Sequence, residues 1–260
     1  MTTSLIDKQK VINIALGEVG YLEKASNSQL DSKTANAGNR NFTKYARDLA
    51  KYPFYNGKKY GVAWCDVFVD WCFVTAYGKD AALALTFQPT KPANNSGAGC
   101  RFSRDYYKAK GRLYSTPQPG DQVFFYSADR KQIQHTGLVY KVDDSRVYTV
   151  EGNTSGASGV VGNGGGVCKK SYALNYSRLA GFGRPNWNTQ VKEEVKQEAP
   201  KAEAPTVTAY VTYTVQKGDS LWKIARKQLG NGNKYKLIQS ANSIKGDLIR
   251  VGQKLKIPKG

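Results

Sequence analysis

Ala63-Trp64-Cys65-Asp66-Val67-Phe68-Val69-Asp70-Trp71-Cys72-Phe73-Val74-Thr75-Ala76-Tyr77 decides how the longer part of this chain folds. Phe68, Trp71, Cys72 and Ala76 recur at helical spacing, which predicts a helix over residues 65–77 that buries this stripe and forms the centre of a domain. Cys65 opens that helix. A thiol there faces backbone N–H groups with no partner and the positive end of the helix dipole, both of which favour a thiolate and can also hold an oxyanion. Some seventy residues later comes the chain's single histidine, His135, at the head of His135-Thr136-Gly137-Leu138-Val139-Tyr140, and Glu151-Gly152-Asn153 follows shortly after. A cysteine opening a helix, a histidine opening a strand, and an acid and a carboxamide on the next strand are the parts of a thiol nucleophile, its base and the base's orienters. With no second histidine, any imidazole chemistry belongs to His135.

Around the central helix the order is helical first and strand-rich later. Residues 7–19 carry Val11, Ile14, Ala15 and Val19 on one stripe behind a Ser4 cap, and Asn41 is positioned to cap a second helix over 42–51. From Pro119-Gly120-Asp121 onward the period becomes two, and residues 122–126, 135–142, 147–152 and 179–183 read as strands, with Tyr172 marking a further one. A helical half followed by a meandering sheet predicts an α+β fold with an antiparallel sheet. Residues two apart on a strand share a face, so Glu151 and Asn153 are both expected to point toward His135, Glu151 as orienter and Asn153 as auxiliary. Trp64, Tyr60 and Phe125 are candidate groove walls. The Gly-rich run 154–166 reads as a groove border or a wide hairpin loop, and without a following helix it does not match a phosphate cradle.

Composition narrows the class. At 260 residues with 40% hydrophobic content, the chain can hold one medium domain and a small second one. Its 39 Lys and Arg against 20 Asp and Glu give a net charge of +19, which calls for a polyanionic partner or surface. Charge is the sole argument for nucleic acid, and no nucleic-acid partner is expected. No apolar run approaches the length of a membrane span. The opening Met1-Thr2-Thr3-Ser4-Leu5-Ile6-Asp7-Lys8 lacks the basic and apolar regions of a Sec-type signal. Cys65 and Cys72, seven residues apart on one helix, have Cα atoms roughly 10 Å apart, beyond disulfide reach. A bridge between Cys100 and Cys168 stays open. One histidine and no CxxC pair leave no basis for a structural or catalytic metal, and no cofactor is expected.

Residues 188–209 break the pattern, with two prolines, no aromatic residue, and Lys192, Lys196 and Lys201 set against Glu193, Glu194, Glu198 and Glu203. Such a stretch cannot offset its ordering entropy by burial and reads as a flexible tether. Beyond it, Tyr213-Thr214-Val215-Gln216-Lys217-Gly218-Asp219-Ser220-Leu221-Trp222 gives strand, turn and helix start. Residues 234–241 form a second helix and 251–258 return as a strand, a βααβ unit. The expected organisation is 1–187, tether 188–209, and 210–260.

Ala63-Trp64-Cys65, Pro119-Gly120-Asp121, His135-Thr136-Gly137 and Glu151-Gly152-Asn153 together resemble the CHAP domain, the cysteine, histidine-dependent amidohydrolase/peptidase module of peptidoglycan hydrolases. That resemblance covers roughly residues 6–187. It implies a papain-like fold, cleavage of an amide bond in cell-wall peptides, and catalytic roles for Cys65, His135, Glu151 and Asn153. Some members bind calcium through a DxD-type loop ahead of the cysteine; residues 23–41 have Asp31 but no DxD, and no metal is expected. The βααβ unit resembles LysM, which binds N-acetylglucosamine-containing glycans. The positions matching its sugar groove are Gly218, Asp219, Ser220, Leu221, Ile244, Lys245 and Ile249, with Asp219 more a helix-start residue than a sugar contact.

The resemblance implies a phage or prophage endolysin type of hydrolase, an N-acetylmuramoyl-L-alanine amidase or a peptide endopeptidase. It would act as a monomer on peptidoglycan, with the stem peptide at the first domain, glycan at the second and anionic wall polymers nearby. Made in the host cytoplasm without a signal peptide, it would reach the wall on lysis or through a holin-type lesion. The competing readings are a non-catalytic glycan-binding protein with a degenerate hydrolase fold, and a glycosidase using Glu18 or Glu23 with Asp31.

Overall fold

Why residues 65–77 form the central helix is visible in what surrounds them. In the computed structural model, which describes residues 3–57, 60–91, 98–192, 210–216, 218–230, 232–242, 244 and 249–258, the chain divides into two compact units, Met1–Glu193 and Glu194–Gly260. In the first unit, helix α1 (Lys8–Gly17) and helix α2 (Lys44–Leu49) precede the central helix α3 (Cys65–Tyr77). Helices α4 (Lys79–Thr86) and α5 (Cys100–Ala109) follow it. Val67, Phe68, Val69, Cys72 and Phe73 of α3 are all fully buried, as expected of a helix enclosed on nearly every side. Truncating Phe68 to Ala would cost about 3–5 kcal/mol. Gly78, at φ +76°, ends α3 in a conformation that favours glycine.

Strands β2 (Leu113–Tyr114), β3 (Gln122–Ser127), β4 (Gln132–Val142), β5 (Arg146–Thr154), β6 (Gly166–Ala173) and β7 (Leu179–Gly183) form one antiparallel sheet in the order β2-β7-β3-β4-β5-β6. The α+β expectation therefore holds. Leu138 and Val150, paired across β4 and β5, join Phe68 and Val67 of α3 in the main core. Two motif glycines set the fit. A Cβ on Gly152 would lie 2.6 Å from Cβ of Phe68 and 2.8 Å from the Trp64 ring, and one on Gly137 would lie 2.5 Å from Cγ of Glu151. The first glycine lets β5 approach the start of α3; the second makes room on β4 for the glutamate.

Several local expectations are corrected. Asp7, not Ser4, caps α1 by accepting from Gln9 N at 2.8 Å. Ser4 lies instead in a short strand β1 (Thr3–Leu5), paired antiparallel with β8 (Gln190–Lys192). Residues 188–192, assigned to the tether, thus belong to the first unit, the last three of them as β8; residues 193–209, the rest of it, lie outside the described residues. Thr43, not Asn41, caps α2, accepting from Ala46 N at 3.2 Å. The four cysteines are free.

In the second unit, β9 (Tyr210–Thr214) pairs antiparallel with β10 (Lys254–Pro258). Helices α6 (Leu221–Leu229) and α7 (Tyr235–Ala241) lie between them in sequence. Val215, Leu221, Ile224, Ala225, Ile238, Leu255 and Ile257 make its core, completing the expected βααβ order.

Candidate active site

Cys65 begins α3 and is 4% exposed. The helix start has no side-chain cap, so the N–H groups of its first turn are not claimed by a neighbouring side chain. His135 and Glu151 are both completely buried, and Nε2 of His135 lies 2.9 Å from Oε2 of Glu151. With Nε2 taken by Glu151, Nδ1 is the ring nitrogen left for the thiol. The Phe125 ring packs beside the imidazole at 5.8 Å between centroids.

The electrostatics favour the charged pair. The neighbouring Cys100 thiol does most to hold Cys65 well below the usual thiol range; burial opposes this and His135 adds to it. Burial disfavours the imidazolium, but pairing with Cys65 and Glu151 overcomes it and raises His135 to about 10. Both shifts run in the direction of a thiolate–imidazolium pair. Burial, and then the Cys65 charge, raise the Asp66 carboxyl to about 7.

The structure brings Cys65, His135 and Glu151 together, and Asn153 is fully buried two residues beyond Glu151. The β5–β6 register shifts between Glu151 and Thr154, and Asn153 takes φ +55°, which ends the simple alternation that would have aligned it with Glu151. Its Nδ2 donates to Gly162 O at 3.3 Å, bracing the Gly-rich loop. Glu151 is buttressed by others: Thr149 Oγ1 donates to Oε1 at 2.5 Å and Tyr172 OH to Oε2 at 3.1 Å. Thr149 shares a strand face with Glu151 and was recoverable from period-two spacing; Tyr172 comes from β6 and has no local signal.

Asp66 was also missed. Its Oδ2 accepts from Ser103 Oγ of α5 at 2.8 Å and its Oδ1 from Gln122 Nε2 of β3 at 2.9 Å. Gln122 Nε2 also donates to Thr136 Oγ1 at 3.1 Å. This chain of bonds links the residue after the cysteine to the residue after the histidine. Asp121 of Pro119-Gly120-Asp121 is structural, accepting from Gln118 N at 2.8 Å and from Arg184 Nη2 at 2.9 Å.

A cavity of about 320 Å³ opens beside His135, bordered by Ser127, Asp129, Gln134, Val160, Gly162 and Arg178. Trp64 and Phe125 are wholly buried and belong to the core instead of a groove wall, while Tyr60 is half-buried against Phe42. The carboxylates of the glycosidase reading are spent elsewhere. Glu18 pairs with Lys44 at 2.7 Å, Glu23 accepts from Trp64 Nε1 at 2.9 Å, and Asp31 is held by both terminal nitrogens of Arg47.

In the second unit, Gly218 takes φ +88°. Asp219 Oδ2 accepts from Gln216 N and Tyr213 OH, each at 2.8 Å. The Gln216 N–H does most to hold its carboxyl below the ordinary range. Ser220 caps α6, accepting from Lys223 N at 3.2 Å. Leu221 is buried, and Ile244 and Ile249 pack against the same core. Lys245 lies outside the described residues.

Residues 56–153 match the CHAP domain model and residues 213–258 the LysM domain model, so the chain has a CHAP plus LysM architecture. Among curated proteins it is similar to "Uncharacterized protein YqbP" of Bacillus subtilis (strain 168), 38% identical over 85 residues, which cover 28% of this chain and 39% of that protein. The chain thus spans well under two thirds of that relative. A solved structure, "The crystal structure of Ly7917", gives a TM-score of 0.40 at 11% identity over 80% of this chain and 65% of that one. No helix among the described residues is long and apolar enough to cross a membrane.

Proposed function

We propose that the chain is a peptidoglycan hydrolase that cuts an amide bond of the wall peptide, or the lactyl amide joining peptide to sugar, through Cys65. A CHAP domain points to peptidoglycan hydrolysis and a LysM domain to glycan binding. The observation that carries the mechanism is the buried His135–Glu151 pair at 2.9 Å beside a cysteine at a helix start.

The Cys65 thiolate attacks the carbonyl carbon, and the oxyanion is met by N–H groups in the first turn of α3. As the C–N bond breaks, His135 passes its proton to the leaving amine, producing an acyl-enzyme thioester. His135, now neutral, takes a proton from water; the resulting hydroxide attacks the thioester and releases the carboxylic acid, regenerating the thiolate–imidazolium pair. Glu151 holds the imidazole through Nε2 so that Nδ1 faces the thiol. Glu151 is therefore a positioning residue, and Asn153 acts through the loop.

The second unit would hold the enzyme on wall glycan through the backbone around Gly218. The endolysin type, with release from the host cytoplasm during lysis and action as a monomer, completes the proposal. Mass spectrometry of peptidoglycan digested by the full chain, with Cys65→Ser as blank, tests it. New amine and carboxylate ends at one bond type, absent from the blank, are expected. New reducing sugar ends would overturn the amide assignment.

A further inference from the structure

Across the Gly-rich loop from His135 lies a second and larger cavity, of about 550 Å³, along the outer strand β6. Tyr140, Arg146, Tyr148, Lys169, Lys170 and Tyr172 line it, together with residues 156–159 of the loop, and no Asp or Glu is among its lining residues. The mechanism above uses none of its cations.

The state of those cations is informative. Lys170 is only 8% exposed, yet its Nζ is held by neutral partners, the carbonyl oxygens of Ser155 (3.0 Å) and Ala157. Arg146 donates to Ser171, at 2.9 Å to the hydroxyl and 3.0 Å to the carbonyl. Lys169 stands over the Tyr140 ring at 5.7 Å. None of the three has a carboxylate partner among the described residues. The carboxylates of Asp143 and Glu151 are committed elsewhere. Asp143 accepts from Tyr148 OH at 2.7 Å and from the backbone of its own turn, and Glu151, behind Tyr172, serves His135. Lys170 is withdrawn from water without a counter-ion, which is costly, and an anion arriving in the cavity would offset that cost, while Lys169 is exposed at its rim.

We propose that this cavity binds a phosphodiester-linked polyol polymer, the repeating phosphates facing Lys169, Arg146 and Lys170 and the polyol hydroxyls meeting the phenol groups of Tyr140 and Tyr148. The choice of polymer rests on the proposed action at the wall. In the proposed reaction the carboxylates of the stem peptide travel with the bond being cut, and neither Cys65 nor His135 lines this larger cavity. A groove on the opposite side of the loop therefore takes a different chain with its own anions. Phosphodiesters stay charged at every working pH and present two free oxygens per group to cations and hydroxyls.

Fluorescence polarisation with a labelled poly(glycerol phosphate) oligomer tests this, using the full chain carrying Cys65→Ser throughout so that hydrolysis has no part in the readout. Lys169→Gln is expected to weaken binding about fivefold and Ser158→Asp, which places a negative charge in the exposed loop, by at least as much. Lys108→Gln, an equal loss of charge on the exposed side of α5, should change binding by less than about twofold. Equal losses from Lys108→Gln and Lys169→Gln would overturn the site in favour of diffuse attraction to a basic surface. Binding of a labelled polyglutamate as tight as that of the phosphodiester oligomer would overturn the choice of ligand. Because the measurement needs no bond to be cut, failure of the hydrolase proposal would leave a positive result standing.

Discussion

The two units spend their polar residues in opposite ways. The first buries them: Asp66, Asp70, His135, Thr136, Glu151 and Asn153 are all 2% exposed or less. Among the described residues of the second, the buried core is wholly aliphatic, and Asp219 and Ser220 do their work at the surface. Burial without water makes charges interact strongly and fixes geometry in advance, which bond-breaking needs. Holding a neutral glycan asks only for a shaped rim of backbone polar groups. The contrast teaches that the cost of desolvation is borne where chemistry is proposed and avoided where attachment is proposed.

The contrast breaks first at the histidine. His135→Ala should lower wall hydrolysis at least about a thousandfold and Glu151→Gln about a hundredfold, both measured by turbidity clearing. Asn153→Ala should stay within about threefold in rate while lowering Tm, since it braces a loop at positive φ. A greater loss of rate from Asn153→Ala than from Glu151→Gln would return the asparagine to the catalytic centre.

The charged pair gives the next test. A free thiol gains reactivity on the order of fiftyfold between pH 6 and pH 8. Cys65, already ionised beside His135⁺, should react with iodoacetamide at rates within about threefold of each other over that interval. Its reactivity should change only as pH approaches 10, where His135 loses its proton. A steep rise through pH 8 would mean that the pair is neutral at rest.

Removing the second unit should act on concentration and not on chemistry. Residues 1–193 should need about tenfold more enzyme for the same clearing, and should bind purified peptidoglycan with greater salt sensitivity in pull-downs. Ending the fragment at residue 187 would remove β8, the partner of β1, and confuse loss of anchoring with loss of structure.

The smallest effect concerns Asp66. Its folded pKa, about 7 against an ordinary 3.8, lies above the unfolded value. The folded state therefore keeps a proton that the unfolded chain releases, and stability falls as pH rises through that window. Asp66→Asn has no such penalty, so its Tm relative to the parent should grow by a few degrees from pH 5 to pH 8 in thermal unfolding. A difference constant with pH would show that Asp66 does not titrate there.

How much of this was legible in sequence follows from distance along the chain. The α3 stripe and the alternation of β3 to β5 are local periodicities, and they located Cys65, His135 and Glu151. Period-two spacing set Asn153 beside Glu151, and the left-handed backbone it takes is a feature that spacing does not carry. Cys100 and Tyr172 act on Cys65 and Glu151 from elements far away in sequence, where spacing holds no information. Leu221, Ile244 and Ile249 matched a sugar groove by position, yet their aliphatic side chains serve the core.

The pairing of β1 with β8 gives the first unit a mechanical property. Thr3 lies opposite Lys192 and Leu5 opposite Gln190, so the chain enters this unit and leaves it at neighbouring points. A pull transmitted through the following residues would load the ladder at its open end, where bonds yield one after another as in a zipper. Three residue pairs offer little resistance, and their release would free about 10 Å of chain before any strand of the sheet carrying His135 and Glu151 is peeled.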